Sequence, residues 1–162
     1  MRAFIPAAAA FDLLGCSGGA QQRDAADDVR AFLHASRTGD AATFERHVDR
    51  PALRKVLTQE LRANMPGIVR SVERRGVGLD AHVEGMITPY AFRQALVRGG
   101  ARDRTPLEPE VAALLVVVDE QRVCLPGATR EVCSMTFTRG PDAVWRLTAM
   151  DLDTSKGPVP LP

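Results

Sequence analysis

The sequence predicts an α+β domain in which helices come first and an antiparallel sheet of three to four strands comes last. Two observations carry that prediction. Up to about residue 98 apolar side chains recur every three or four positions, as on one face of a helix, whereas from residue 131 they recur every second position, as on one face of a strand. A polar stretch with two prolines, residues 101–109, separates the two regimes. With 162 residues the chain can bury one core, since a domain of about 150 residues buries roughly 68–70% of its unfolded surface. Residues 23–153 are read as that single domain.

The first helix is marked by Val29, Phe32, Leu33 and Ser36 at helical spacing, by Asp24, Asp27 and Asp28 at its expected amino end, and by Gly39 as a stop. Asp40 is placed to cap a short second helix carrying Phe44 and Val48. Asp49-Arg50-Pro51 turns the chain into a third helix, whose stripe of Leu53, Val56, Leu57, Leu61 and Met65 closes at Pro66-Gly67. Ile68, Val69 and Val72 add a helical turn or two before Gly76 and Gly78, and Leu79, Val83, Met86 and Ile87 add another helix. Thr88-Pro89 restarts the pattern with a cap and a first-turn proline, followed by Tyr90, Phe92, Ala95 and Leu96 and a Gly99-Gly100 stop.

Val111 to Val118 is a continuous apolar run, expected as a central strand covered on both faces, with Arg122 to Leu125 continuing it. Cys133, Met135 and Phe137 then alternate with Ser134, Thr136 and Thr138, and Trp145, Leu147 and Ala149 repeat the alternation. Arg139-Gly140-Pro141-Asp142 supplies the hairpin turn between those two strands, and residues 154–162 read as an extended tail.

The amino terminus reads as an address. Arg2 and the mostly apolar run from Ala3 to Leu14 form an export signal over residues 1–15, and Leu13-Leu14-Gly15-Cys16 resembles a bacterial lipobox. That resemblance implies a lipid on Cys16, contact with a membrane through the lipid, and a place in the cell envelope facing the periplasm; the small and polar residues Gly18 to Gln22 read as a tether, bounded at residues 16–22. A secreted or a cytoplasmic protein is the alternative if the signal is not functional. Cys124 and Cys133 flank Leu125-Pro126-Gly127-Ala128-Thr129 at a spacing that suits either a cross-strand disulfide or two buried thiols.

Three further stretches resemble a family of bacterial envelope proteins of unknown function, DUF2939-like. They are Ser36-Arg37-Thr38-Gly39-Asp40 leading to Val48-Asp49-Arg50-Pro51-Ala52-Leu53-Arg54, the restart at Met86-Ile87-Thr88-Pro89, and the closing strand around Trp145-Arg146-Leu147. The resemblance implies architecture and envelope location; it carries no catalytic residue and no substrate.

No catalytic, metal or cofactor set is assigned, because His34, His47 and His82 stand apart and no nucleophile elbow or phosphate loop occurs. His47 is read as a solvent-facing or capping residue. A net charge of +1 argues against nucleic acid, and the local runs Arg70, Arg74, Arg75 and Arg98, Arg102, Arg104 are read first as solvated faces, with phospholipid head groups or a phosphate as the other use. Tyr90, Phe92, Phe137 and Trp145 are the aromatics placed to line a pocket between helices and sheet, or else to fill the core. The leading expectation is therefore an exported, lipid-anchored, non-enzymatic domain that binds a protein or a small apolar ligand. A small pocket enzyme with Asp119 or Asp151 as a single base near Trp145, and a purely structural partner domain, are the alternatives.

Overall fold

The computed structural model describes residues 17–98, 104–127 and 129–152, and in them seven helices precede a four-stranded antiparallel sheet of order β1-β2-β3-β4. The helices are α1 Ser17–Thr38, α2 Ala41–Arg46, α3 Arg50–Asn64, α4 Pro66–Arg74, α5 Leu79–Met86, α6 Pro89–Arg98 and α7 Glu108–Leu114. The strands are β1 Val116–Asp119, β2 Arg122–Pro126, β3 Cys133–Arg139 and β4 Trp145–Met150. The α+β class is as the change of periodicity indicates.

Local chemistry sets the helix ends. The carboxylate of Asp40 accepts from Thr43 N at 3.1 Å, that of Asp49 from Ala52 N at 3.0 Å, and the Thr88 hydroxyl from Ala91 N at 3.2 Å, each filling a donor that the first turn leaves empty. Gly39 closes α1 with a φ of 79°, a left-handed conformation that costs glycine no steric strain.

Two elements differ from expectation. Gly18 to Gln22, read from sequence as tether, are helical, and α1 starts at Ser17. Asp24, Asp27 and Asp28 are thus in the second and third turns and do not serve the helix terminus. The apolar run from Val111 to Val118 divides between α7 and β1. Pro109 sits in the first turn of α7, and the Glu110 carboxylate accepts from Leu107 N at 2.7 Å. These start signals and the helix-forming Ala112-Ala113 outweigh the β-branched content until Leu115 turns extended. β1 is accordingly an edge strand, not a central one, and Arg122 to Leu125 belong to a separate strand paired antiparallel to it.

The core lies where α1 crosses the sheet. Phe32 of α1 meets Phe44, Phe92 and Phe137 with ring centroids 5.3–5.5 Å apart, so residues from α1, α2, α6 and β3 share one aromatic cluster. Both sheet edges are engaged. Gln21 and Gln22 donate to the carbonyls of Asp119 and Leu115 beside β1. On the other side Val48 pairs in parallel with Leu147, with Leu147 N donating to His47 O at 2.9 Å and Asp49 N to Leu147 O at 3.0 Å.

Candidate functional site

The start of β4 carries a connected set of part-buried polar contacts. Asp24 and Asp28 stand one helical turn apart on α1, and both reach Trp145. One Asp28 oxygen accepts from the Trp145 main-chain N at 2.8 Å, and Asp24 accepts from the indole Nε1 at 3.1 Å. The other Asp28 oxygen lies 3.1 Å from His47 Nε2, while His47 Nδ1 donates to Thr43 O at 2.8 Å. His47 is 4% exposed, so of the two readings the solvent-facing one is corrected and the capping one holds, His47 being the C-cap residue of α2. Its carboxylate partner is Asp28, nineteen positions earlier. No buried side-chain nitrogen or oxygen among the described residues lacks a partner. Polar groups here are consumed in joining α1, α2 and β4.

A second cluster explains why two distant stretches of sequence go together. Arg50 donates to Glu45, to Glu84 at 2.8 Å and to Ile87 O at 3.0 Å, and Arg54 also pairs with Glu84. The Arg50 hydrogen bond holds the Glu45 carboxyl below the usual carboxylate range. Val48 to Arg54 thereby meets Met86 to Pro89, and both are structural.

The aromatics placed at a pocket do not form one. Tyr90 is 71% exposed, Phe92 and Phe137 are in the core cluster, and Trp145 is sealed against α1. Rings of Phe32 and Phe44 fill the space a pocket would need. Neither Asp119 nor Asp151 is the carboxylate beside Trp145, a place that Asp24 and Asp28 take. Asp119 is three strands away, about 14 Å, and Asp151 is six positions along extended chain, about 20 Å. Asp119 is exposed and held by Arg122 at 2.6 Å, whose hydrogen bond keeps the carboxyl below its ordinary value. Cys124 and Cys133 are joined in the structure, Cα to Cα 5.6 Å, beside the register shift at Leu125/Pro126. Cys16, the export signal and the tail lie outside the described residues.

At the far end of β4 the surface opens into a groove of about 580 Å³ between α3 and the β3–β4 pair. Val56, Met65, Ala149 and Met150 give it apolar walls, and Ser134 and Thr136 give it hydroxyls. Glu60 and Asp151 add two carboxylates, and no basic side chain lines it. Asn64 donates to Glu60 at 2.6 Å and so sets that carboxylate's position. Of these only Asp151 is singled out in the sequence, as a candidate base, because three separate stretches supply the lining. Among the described residues no group of three or more His, Cys, Asp or Glu could hold a metal ion, and no helix is long and apolar enough to cross a membrane.

Residues 24–96 match the family described as Protein of unknown function (DUF2939). That segment is DUF2939-like. It runs from Asp24 in α1 to Leu96 in α6 and so includes Asp28, His47, Arg50 and Ile87, but it stops before the sheet. No curated protein and no solved structure matches the chain.

Proposed function

We propose that the chain is an exported, lipid-anchored envelope domain acting as a non-enzymatic small-ligand-binding module, with the groove between α3 and the β3–β4 pair as its site. The groove is the observation that carries this reading. Its volume of about 580 Å³ falls within the roughly 300–1,000 Å³ of small-molecule sites, and it combines aliphatic and thioether walls with polar groups. The carboxylates of Glu60 and Asp151 in the lining favour a small organic cation, such as an amine bearing a short aliphatic tail. The disulfide between Cys124 and Cys133 supports export, since such bonds persist in oxidising compartments. The anchor at Cys16 rests on the amino-terminal sequence alone.

Titration of the full chain with a series of alkylammonium ions, followed by amide chemical shifts, tests the site. Shifts are expected at residues 56–65, 133–136 and 149–151, with about tenfold weaker binding in Glu60→Gln or Asp151→Asn, the cost of one charged contact. Equal response to alkyl carboxylates, or unchanged binding in both variants, would remove the reading. Labelling with a fatty acid that marks the native chain but not Cys16→Ala tests the anchor separately.

A further inference from the structure

Arg50, Arg54, Arg104, Arg122, Arg139 and Arg146 each pair with a carboxylate of the fold. Arg62, Arg70, Arg74 and Arg75 are exposed and pair with no carboxylate among the described residues. The last three belong to α4 and its end. There the Nε groups of Arg74 and Arg75 donate to the helix carbonyls of Arg70 and Ser71 at 3.3 Å, which leaves their Nη groups without a protein acceptor among the described residues.

The same helix is sharply two-sided. Val72 is buried and Val69 packs on the core, while Arg70 and Arg74 lie one turn apart on the opposite side. Ile68, Ser71 and Arg75 follow at three- and four-residue steps along the flank, and Ile68 and Val77 are each 42% exposed. Three guanidinium groups, against the single carboxylate of Glu73 on the same helix, thus stand beside exposed aliphatic side chains.

From this combination we infer that the stretch from Arg62 to Val77 docks on an anionic phospholipid surface. The arginines meet headgroup phosphates, and Ile68 and Val77 enter the boundary between headgroups and acyl chains. A net charge of only +1 makes the contact local and therefore oriented, since no global field draws the chain in. Nucleic acid fits less well, because the stretch has no aromatic side chain on which a base could stack. The inference is independent of the groove.

The test uses the full chain carrying Cys16→Ser, so that no acyl group contributes, in flotation with phosphatidylcholine vesicles that contain or lack phosphatidylglycerol. Binding is expected only with the anionic lipid, falling as salt rises. The triple variant Arg70→Ala/Arg74→Ala/Arg75→Ala should bind on the order of 100-fold more weakly, and Ile68→Ser/Val77→Ser several-fold more weakly. Arg23→Ala/Arg30→Ala, which removes charge elsewhere, should bind like the parent, and unchanged circular dichroism would establish that each variant is folded. Four results would overturn the inference: parent-like binding by the triple variant, an equal loss in the α1 control, equal or no binding to the two vesicle types, or release of bound chain by duplex DNA.

Discussion

At its first residue β4 is locked to two helices, and six residues later it borders an open groove. The same strand thus meets polar side chains under opposite conditions. At Trp145 the main-chain N, the indole Nε1, both Asp28 oxygens and both His47 ring nitrogens have partners inside the fold. At Asp151 carboxylates and hydroxyls line a space of about 580 Å³. The difference teaches that conspicuous residue types are a poor guide to the candidate site. The histidine, the tryptophan and the paired aspartates are absorbed by architecture, while a glutamate, two methionines and two hydroxyls shape the cavity.

This contrast breaks most readily at the sealed end. Trp145→Ala should cost about 4 kcal/mol, from the lost ring and the cavity left behind, which is a large part of the roughly 5–15 kcal/mol that holds a domain folded. Urea denaturation measures it, and a loss below about 1 kcal/mol would show that the junction contributes little. His47→Ala and Asp28→Asn should each cost about 2–3 kcal/mol, because each strands a buried partner. Their effects should not add: the double variant should fall short of the sum by at least about 1 kcal/mol.

At the open end Cys133→Ser should cost a similar or slightly smaller amount. A bridge spanning 9 positions restricts the unfolded chain by about 2–3 kcal/mol, and a reducing agent should reproduce the loss in the parent but leave the variant unchanged. A smaller effect belongs to the turn that leads into β4. The Arg146 hydrogen bond lowers the Asp142 carboxyl from its ordinary 3.8 to about 2. The folded state therefore binds this proton more weakly than the unfolded state. Its contribution is complete above pH 4 and fades as the pH falls towards 2, so the stability gap between the parent and Asp142→Asn should narrow over that interval. Smallest of all is Glu60→Gln, expected to shift stability by less than about 0.5 kcal/mol while altering the groove's response to amines.

The helices from α2 to α6 are legible because their boundaries are written within a few residues: Asp40, Asp49 and Thr88 cap, Gly39 stops, and proline marks the first turns. Where local signals conflict, reading fails. In the run from Val111 to Val118 branched apolar residues favour a strand, yet a proline-glutamate start and two alanines commit the first half to α7. The polar junction was out of reach for a different reason. His47 and Asp28 are 19 positions apart and Asp28 and Trp145 are 117, and no periodicity connects them. The one available hint was that Asp24 and Asp28 are four apart, hence on one helix face, beside the buried Val29 and Phe32. Of the groove only Asp151 is marked in the sequence, and beside the wrong residue, since residues 56–65, 133–136 and 149–151 are joined only by the packing of α3 on the sheet.

The parallel bridge between Val48 and Leu147 bears on where this protein can be divided. A fragment ending after α6 would retain everything that matches the family, yet it would leave the His47 carbonyl, the Asp49 amide and one Asp28 oxygen without their β4 partners. The matched segment is therefore not an autonomous unit. Dissection of the chain should keep the final strand with the helices, and any shorter expression product should need an added segment to take that strand's place.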